Sequence, residues 1–317
     1  MTGSAQANTG AISGQQPALA MRMHGGAESE RRWPRKFEGP RGADVIWAAA
    51  FLVPYIALLL GFVLYPICFG FWLGGQAQNF EDLFDNPLFW TTVFNTFLLA
   101  GVGVNTMLIL AFLLSGFFIL PGRWIKALLV LFMLPWALPA LPAFLSIHWM
   151  FIGYGGFLNS ALEMLFGVEG PIWFNSYPLA MGLNVLAYMW KWMPFWTLVF
   201  LAGRLAIPQD IYDAAAVDGA SGISRFTFIT FPLLANLYLV STLLASLWAV
   251  ADFVTTYFVS SGAPALQTEV LATFTFRMMF DYGYVELGLA AGLILLPLTI
   301  PMAVLLIRRL QTTEMQL

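Results

Sequence analysis

Cysteine occurs once, at Cys68, and histidine twice, at His24 and His148, in a chain of 317 residues. A lone thiol closes no intrachain disulfide, and so few ligands this far apart build no cysteine or histidine metal centre. Charge is scarce as well. Asp, Glu, Lys and Arg make up 10% of the residues, against about 25% in a soluble globular domain. No Gly-rich phosphate loop, nucleophile-and-base pairing or metal-ligand cluster is present, so nothing argues for catalytic chemistry in this chain.

What the chain has instead is apolar surface. Hydrophobic residues reach 60%, and the mean hydropathy is +0.78. A water-facing fold could not hide that much, so a bilayer must, and the expected fold class is an all-α membrane protein. A spanning helix takes roughly 20 mostly apolar residues. Six stretches qualify, at about 43–73, 89–120, 124–152, 177–203, 233–259 and 284–307.

Basic residues set the orientation. Arg22, Arg31, Arg32, Arg35, Lys36 and Arg41 precede the first stretch; Arg123 and Lys126 follow the second; Arg204 and Arg225 follow the fourth; Arg308 and Arg309 follow the sixth. Twelve of the fourteen bases thus fall on one side. The loops after the first and third stretches carry Glu81, Asp82, Asp85, Glu163 and Glu169 and no base. The positive-inside rule then puts both termini in the cytoplasm. Residues 1–41, rich in Gly, Ala, Ser and Gln, are expected to be a disordered basic cytoplasmic tail. They hold no early apolar core with a cleavage site, hence no signal peptide, and their basic cluster suits anionic lipid headgroups. Residues 42–317 are expected to form the membrane domain.

Two stretches are punctuated by proline. The third holds Pro135, Pro139 and Pro142, and the sixth Pro297 and Pro301. Each proline removes a backbone donor and disturbs the preceding turn. Irregular backbone at membrane depth survives only where protein or a water-filled cavity covers it. The third stretch is therefore expected to be broken and packed inside the bundle. Among polar residues, Lys191 sits mid-stretch beside Trp190. It either contacts a substrate path, or snorkels to a headgroup or pairs with a carboxylate, because a bare lysine there costs about 2.5 to 3.5 kcal/mol. Asp252, close to Trp248, Thr255, Thr256 and Tyr257, lines the outer part of a cavity or ends a helix in water. Asn95, Asn105 and Asn184 suit interhelical hydrogen bonds. The candidate path residues are Trp190, Lys191, Asn184, Trp248, Asp252 and Tyr257.

The segment at about 205–232 is polar and well patterned between two greasy ones. Pro208 and Asp210 suit a helix start. Ala214, Ala215 and Ala216 favour helix with little bulk, so another protein can approach closely. Asp218-Gly219 should stop that helix, since glycine reaches left-handed angles. A second amphipathic stretch should then run from Ile223 to Phe231 and end at Pro232.

This segment resembles the EAA loop of permeases in binding-protein-dependent ABC importers, which reads E-A-A, three residues, G, nine residues, I-x-L-P. Here Asp213-Ala214-Ala215, Gly219 and Ile229-Thr230-Phe231-Pro232 fall at those positions, with Asp213 for Glu and Phe231 for Leu. Asp218-Gly219-Ala220-Ser221, Asp252-Phe253 and Ser261-Gly262-Ala263-Pro264 resemble the carbohydrate-uptake subset. Phe51-Leu52-Val53-Pro54 and Tyr65-Pro66 resemble its maltose-type or glycerol-phosphate-type first permease subunit. Arg204 departs from the apolar residue usual there. The resemblance implies a type I importer fold with six transmembrane helices in the cytoplasmic (inner) membrane of a prokaryote. It also implies a sugar, polyol or glycerol-phosphate-like solute carried by alternating access. Its partners would be a second permease subunit, similar but heterologous or else a second copy, two ATPase subunits and an extracytoplasmic solute-binding protein. ATP and magnesium would bind the ATPases, with no cofactor in this chain. The ATPase-coupling residues would be Asp213, Ala214, Ala215, Asp218, Gly219, Ala220 and Pro232, in a coupling helix. Two other readings stand beside this: a secondary transporter driven by an ion gradient, and a membrane assembly protein with no transport role.

Overall fold

A computed structural model describes residues 42–314, with side chains placed for 46–311; the expected tail at 1–41 lies outside the described residues. Among the described residues every regular element is a helix, without a strand. They fall into two compact units, one up to Ala57 and one from Leu58 onward.

Five helices are long and apolar enough to cross a bilayer: Ile46–Gly74, Pro87–Phe118, Tyr177–Leu205, Gly222–Val250 and Val285–Gln311. A bent pair, Arg123–Ala137 and Ala140–Met150, at 95° to one another, is long and apolar enough when taken together to make a sixth. At 1.5 Å per residue, the 29-residue helix Tyr177–Leu205 runs to roughly 43 Å, well past the ~30 Å hydrocarbon layer. The main core lies where the second, fourth and fifth spans meet. Phe112 sits edge-on to Phe200 at 5.2 Å and to Tyr238 at 5.9 Å, with Met107, Leu108 and Ala111 fully buried beside them.

The expected break in the third span is present, and its position follows from proline chemistry. The carbonyls of Pro135 and Leu138 would take donors four residues on, but those residues are Pro139 and Pro142, which have no N–H. The chain therefore turns at Leu138, whose ψ of 145° is extended. The broken pair is not packed inside this chain's bundle, however. No residue of Arg123–Ala137 is buried, and in Ala140–Met150 only Ala143 and Phe144 are. Arg123–Ala137 leans on Tyr177–Leu205, while Ala140–Met150 packs against Val254–Val259, where His148 Nδ1 lies 2.7 Å from the Val259 carbonyl oxygen.

The fifth span differs from expectation at both ends. Pro232 does not end a preceding stretch. It lies inside one continuous helix from Gly222 to Val250. A π-helical turn, Phe226–Thr230, comes just before it and closes with the Phe231 N–H on the Phe226 carbonyl. That wider turn moves the backbone away from the proline ring, which would otherwise press on the carbonyl four residues back. The same arrangement recurs in the first span, where the π turn Leu60–Leu64 precedes Pro66 and the Tyr65 N–H reaches the Leu60 carbonyl. At its other end the span stops at Val250 rather than near 259. A separate helix, Val254–Val259, starts after Asp252, whose Oδ1 accepts the Thr255 N–H at 2.9 Å. Pro301 stays inside an unbroken helix, Leu295–Glu314.

Candidate substrate path and coupling loop

The side of Tyr177–Leu205 facing the fifth span carries Tyr188, Trp192, Phe195 and Trp196, a stripe at helical spacing. Trp248 from the fifth span meets Trp192 at 5.6 Å, Phe195 at 5.6 Å and Trp196 at 5.5 Å between ring centroids. Trp136, from the proline-rich segment, stacks on Phe195 at 5.7 Å. The Tyr188 hydroxyl and the indole N–H groups of Trp192 and Trp196 are buried without a hydrogen-bond partner among the described residues. Asp252 lies within electrostatic reach of Tyr188. Burial pushes its carboxyl up to about 6, against the Thr255 hydrogen bonds that pull it down. Donors and a carboxylate thus converge on an aromatic cluster whose Trp248 is 39% exposed. Of this group, only Trp248 and Asp252 were candidates from the sequence. The i, i+4, i+7, i+8 aromatic spacing from Tyr188 could have found the others.

The remaining path candidates are dispersed. Lys191 is buried, and its ammonium donates to the carbonyls of Pro135 at 2.9 Å, Trp136 at 3.2 Å and Leu138. It neither snorkels nor pairs with a carboxylate. Two of these carbonyls are the ones that Pro139 and Pro142 leave without donors, so one cation closes the elbow. Trp190, next in sequence, points elsewhere and lines an apolar cavity of about 370 Å³ with Leu138, Met150 and Leu186. Asn184 donates to the Ser260 hydroxyl at 2.9 Å. Tyr257 stacks on Phe253 at 4.6 Å and takes the Arg277 guanidinium over its ring at 5.1 Å.

Asn184, Asn95 and Arg277 share one task, holding the segment that follows Val254–Val259. Asn95 donates to the carbonyls of Gln267 and Glu269 at 2.7 and 2.8 Å, and Tyr177 donates to Asn95 at 2.7 Å. Arg277 pairs with the buried Glu269 at 2.8 Å and donates to the Ser261 carbonyl at 2.9 Å. Gly262 lies under this pair at φ 80°, where a Cβ would fall 2.2 Å from a Glu269 oxygen. No side chain fits there. Asn105, by contrast, only returns to the Gly101 carbonyl within its own helix.

The candidate coupling loop is two helices around a tight turn, the second being the start of Gly222–Val250. The first, Gln209–Val217, ends at Asp218; Gly219 follows at φ 79°, where an L residue is strained. The turn closes on its own backbone. The N–H groups of Asp218, Gly219 and Ala220 reach the carbonyls of Ala214, Ala216 and Ala215 at 3.2, 3.1 and 2.9 Å. The three alanines do not share one face: Ala215 is buried with Tyr212 against the chain itself, while Ala214 and Ala216 are exposed. Asp213 is exposed and accepts from Gln209 at 3.1 Å. Asp218, Gly219 and Pro232 are exposed and Ala220 is half-buried. Val217 and Ile223 stand out at 87% and 85% exposure. Tyr212 anchors the loop from beneath, its hydroxyl 3.3 Å from Thr230 Oγ1 and its ring under the Arg225 guanidinium at 4.1 Å.

Residues 107–307 match the family model described as the binding-protein-dependent transport system inner membrane component. The chain is 30% identical over 302 residues to a sulfoquinovosyl glycerol transport system permease protein of Agrobacterium fabrum, covering 90% of this chain and 97% of that one. It is 32% identical to a trehalose/maltose transport system permease protein of Thermococcus litoralis, over 73% of this chain and 83% of the other. It is 28% identical to a lactose transport system permease protein of Rhizobium radiobacter, over 74% and 85% of the two. Among solved structures, a chain of a bacterial alginate ABC transporter, in complex with an alginate pentasaccharide-bound periplasmic protein, superposes with a TM-score of 0.67. That match has 19% identity and covers 83% of this chain and 92% of that one.

Proposed function

This chain belongs to the family of inner membrane components of binding-protein-dependent transport systems, and from that premise we propose that it carries a sugar or related polyol. The membrane component is multi-pass and is the permease part of an ABC importer. A solute-binding protein outside would deliver the solute, two ATPase subunits at the cytoplasmic face would drive transport, and a second permease chain would complete the pore. Relatives named for glycosyl glycerol and disaccharide transport support the solute class. One observation in the chain itself carries the reading. The aromatic cluster around Trp248 offers ring faces for sugar C–H surfaces, and its buried indole N–H groups and Tyr188 hydroxyl suit sugar hydroxyls.

The coupling assignment rests on the exposed turn around Gly219. Backbone bonds make the turn rigid, and its apolar and acidic tips are uncovered. Such a knob can seat in an ATPase cleft and transmit its closure to the fourth and fifth spans, which flank the loop.

Reconstitution in liposomes with the binding protein and ATPase tests both parts. ATP-dependent uptake of a labelled disaccharide or glycosyl glycerol is expected. Trp248→Ala should raise its apparent KM by about tenfold, the scale of one lost aromatic contact. Uptake driven by an ion gradient without the ATPase would overturn the proposal.

A further inference from the structure

Neither the coupling turn nor the aromatic cluster uses Arg204. It is buried in the last turn of the fourth span. Its Nε donates to Ser115 Oγ at 2.7 Å and its Nη2 to the Phe112 carbonyl at 3.1 Å, with the Phe112 ring 4.7 Å away. Those bonds use two of the five guanidinium N–H groups and leave three. A second guanidinium, that of Arg225, is fixed over the Tyr212 ring at 4.1 Å. Among the described residues it has no ion pair and no hydrogen bond.

Both arginines line one cleft of about 400 Å³, together with Gln209, Tyr212, Gly116 and Thr230. Among the described residues, no carboxylate lines it. Asp213, on the same helix as Gln209 and Tyr212, is held by the Gln209 amide at 3.1 Å instead. Two like charges facing one cleft repel; Arg204 is held there by Ser115 and Phe112 and Arg225 by the Tyr212 ring, and among the described residues neither is held by an opposite charge. Hydroxyls and an amide complete the wall. This is the donor set that recognises a tetrahedral oxyanion.

We propose that the Arg204–Arg225 cleft binds a phosphate-class oxyanion. Its walls come from the ends of the second and fourth spans and from both helices of the coupling loop. A bound anion would therefore tie the loop to the spans it moves, and its occupancy would tune coupling. The phosphate belongs either to an anionic lipid headgroup at the surface where the loop emerges or to free phosphate in solution. The lipid source rests on the loop lying at the cytoplasmic surface; the anion site itself does not depend on the solute being a sugar.

The test uses the full chain in phosphatidylcholine nanodiscs, alone or doped with phosphatidylglycerol. Native mass spectrometry reads retained phosphatidylglycerol, and equilibrium dialysis in the undoped discs reads radiolabelled inorganic phosphate. Arg225→Gln should lower Arg-dependent retention by about tenfold, equivalent to ~1.4 kcal/mol, and Arg225→Lys by less, since lysine keeps the charge but not the fork. Arg204→Gln should act in the same direction. If it destabilises the second and fourth spans through Ser115, Arg225→Gln alone decides, because that guanidinium makes no hydrogen bond to lose. Loss in the lipid arm identifies a headgroup, and loss in the phosphate arm alone identifies a soluble anion. Unchanged binding of both probes by Arg225→Gln overturns the proposal. So does a loss of co-purified ATPase with both anion arms intact, which would make the arginines a protein contact. Sugar uptake is a separate readout, so failure here leaves the solute assignment standing.

Discussion

The chain interrupts its helices in two places that matter, the elbow at Leu138 and the turn at Gly219, and satisfies the freed backbone groups in opposite ways. At the elbow, prolines strip the donors from two carbonyls, and a side chain from another helix, Lys191, supplies them. At the turn, three N–H groups find carbonyls a few residues back and no distant side chain is needed. The elbow therefore spends its nearby polar group inside the protein. The turn leaves Asp213, Val217, Asp218 and Ile223 outside, available to something else. An interruption sealed from elsewhere in the chain is architecture. One that seals itself and stays exposed presents a surface.

The largest expected effect separates the two by function. Gly219→Pro removes an N–H that bonds the Ala216 carbonyl and demands a φ that proline cannot reach; Asp218→Lys reverses the charge at the tip. Both should leave the protein in the membrane and abolish ATP-driven uptake. Wild-type uptake and ATPase association in both variants would sink the docking assignment.

Next in size, the elbow should respond in stability. Lys191→Met leaves up to three carbonyls without donors and should cost about 3 kcal/mol, on the scale of buried unpaired polar groups. Thermal unfolding in detergent reads this, and an unchanged melting temperature would mean the ammonium does not hold the bend. Smaller still is a coupling term. Pro139→Ala restores a backbone donor for the Pro135 carbonyl, so Lys191→Met should cost about 1 kcal/mol less in that background. Strictly additive losses would separate the proline from the lysine.

The smallest effect belongs to Asp252, at the far end of the fifth span from the turn. Its carboxyl, ordinarily near 3.8, is held up to about 6 by burial. A raised acid pKa contributes stability below the unfolded value, and that contribution is lost as the pH rises through the folded one. The melting temperature should therefore fall modestly between pH 3.8 and about 6 through this group, and Asp252→Asn should flatten that slope. An unaltered pH profile in the variant would show that Asp252 titrates as it does in water.

Hydropathy, proline and glycine are local signals, and what they predicted is largely what formed. The six crossings, the break among Pro135, Pro139 and Pro142, and the helix stop at Asp218-Gly219 all depend on the residue and its near neighbours, so a single sequence carries them. The boundaries of the fifth span were less legible. Pro232 reads as a stop unless a π turn precedes it, and Asp252 reads equally as a cavity wall or a helix end in water until its cap to Thr255 is seen. Ala215 could not be told from its neighbours until packing put it under the loop beside Tyr212.

What the sequence alone determined is that this chain lives in a bilayer, where its helices break, and that it presents a turn of importer-permease spacing. Only the tertiary structure decided the partners of its rare polar groups. Lys191 meets a carbonyl 56 residues away in sequence from its own position, Arg204 meets Ser115 from 89, and Asn95 reaches Glu269 from 174. A membrane-buried donor must find an acceptor, so its presence is a demand that a sequence can state. Which acceptor answers depends on which helices are neighbours, and that is set by the packing of whole faces.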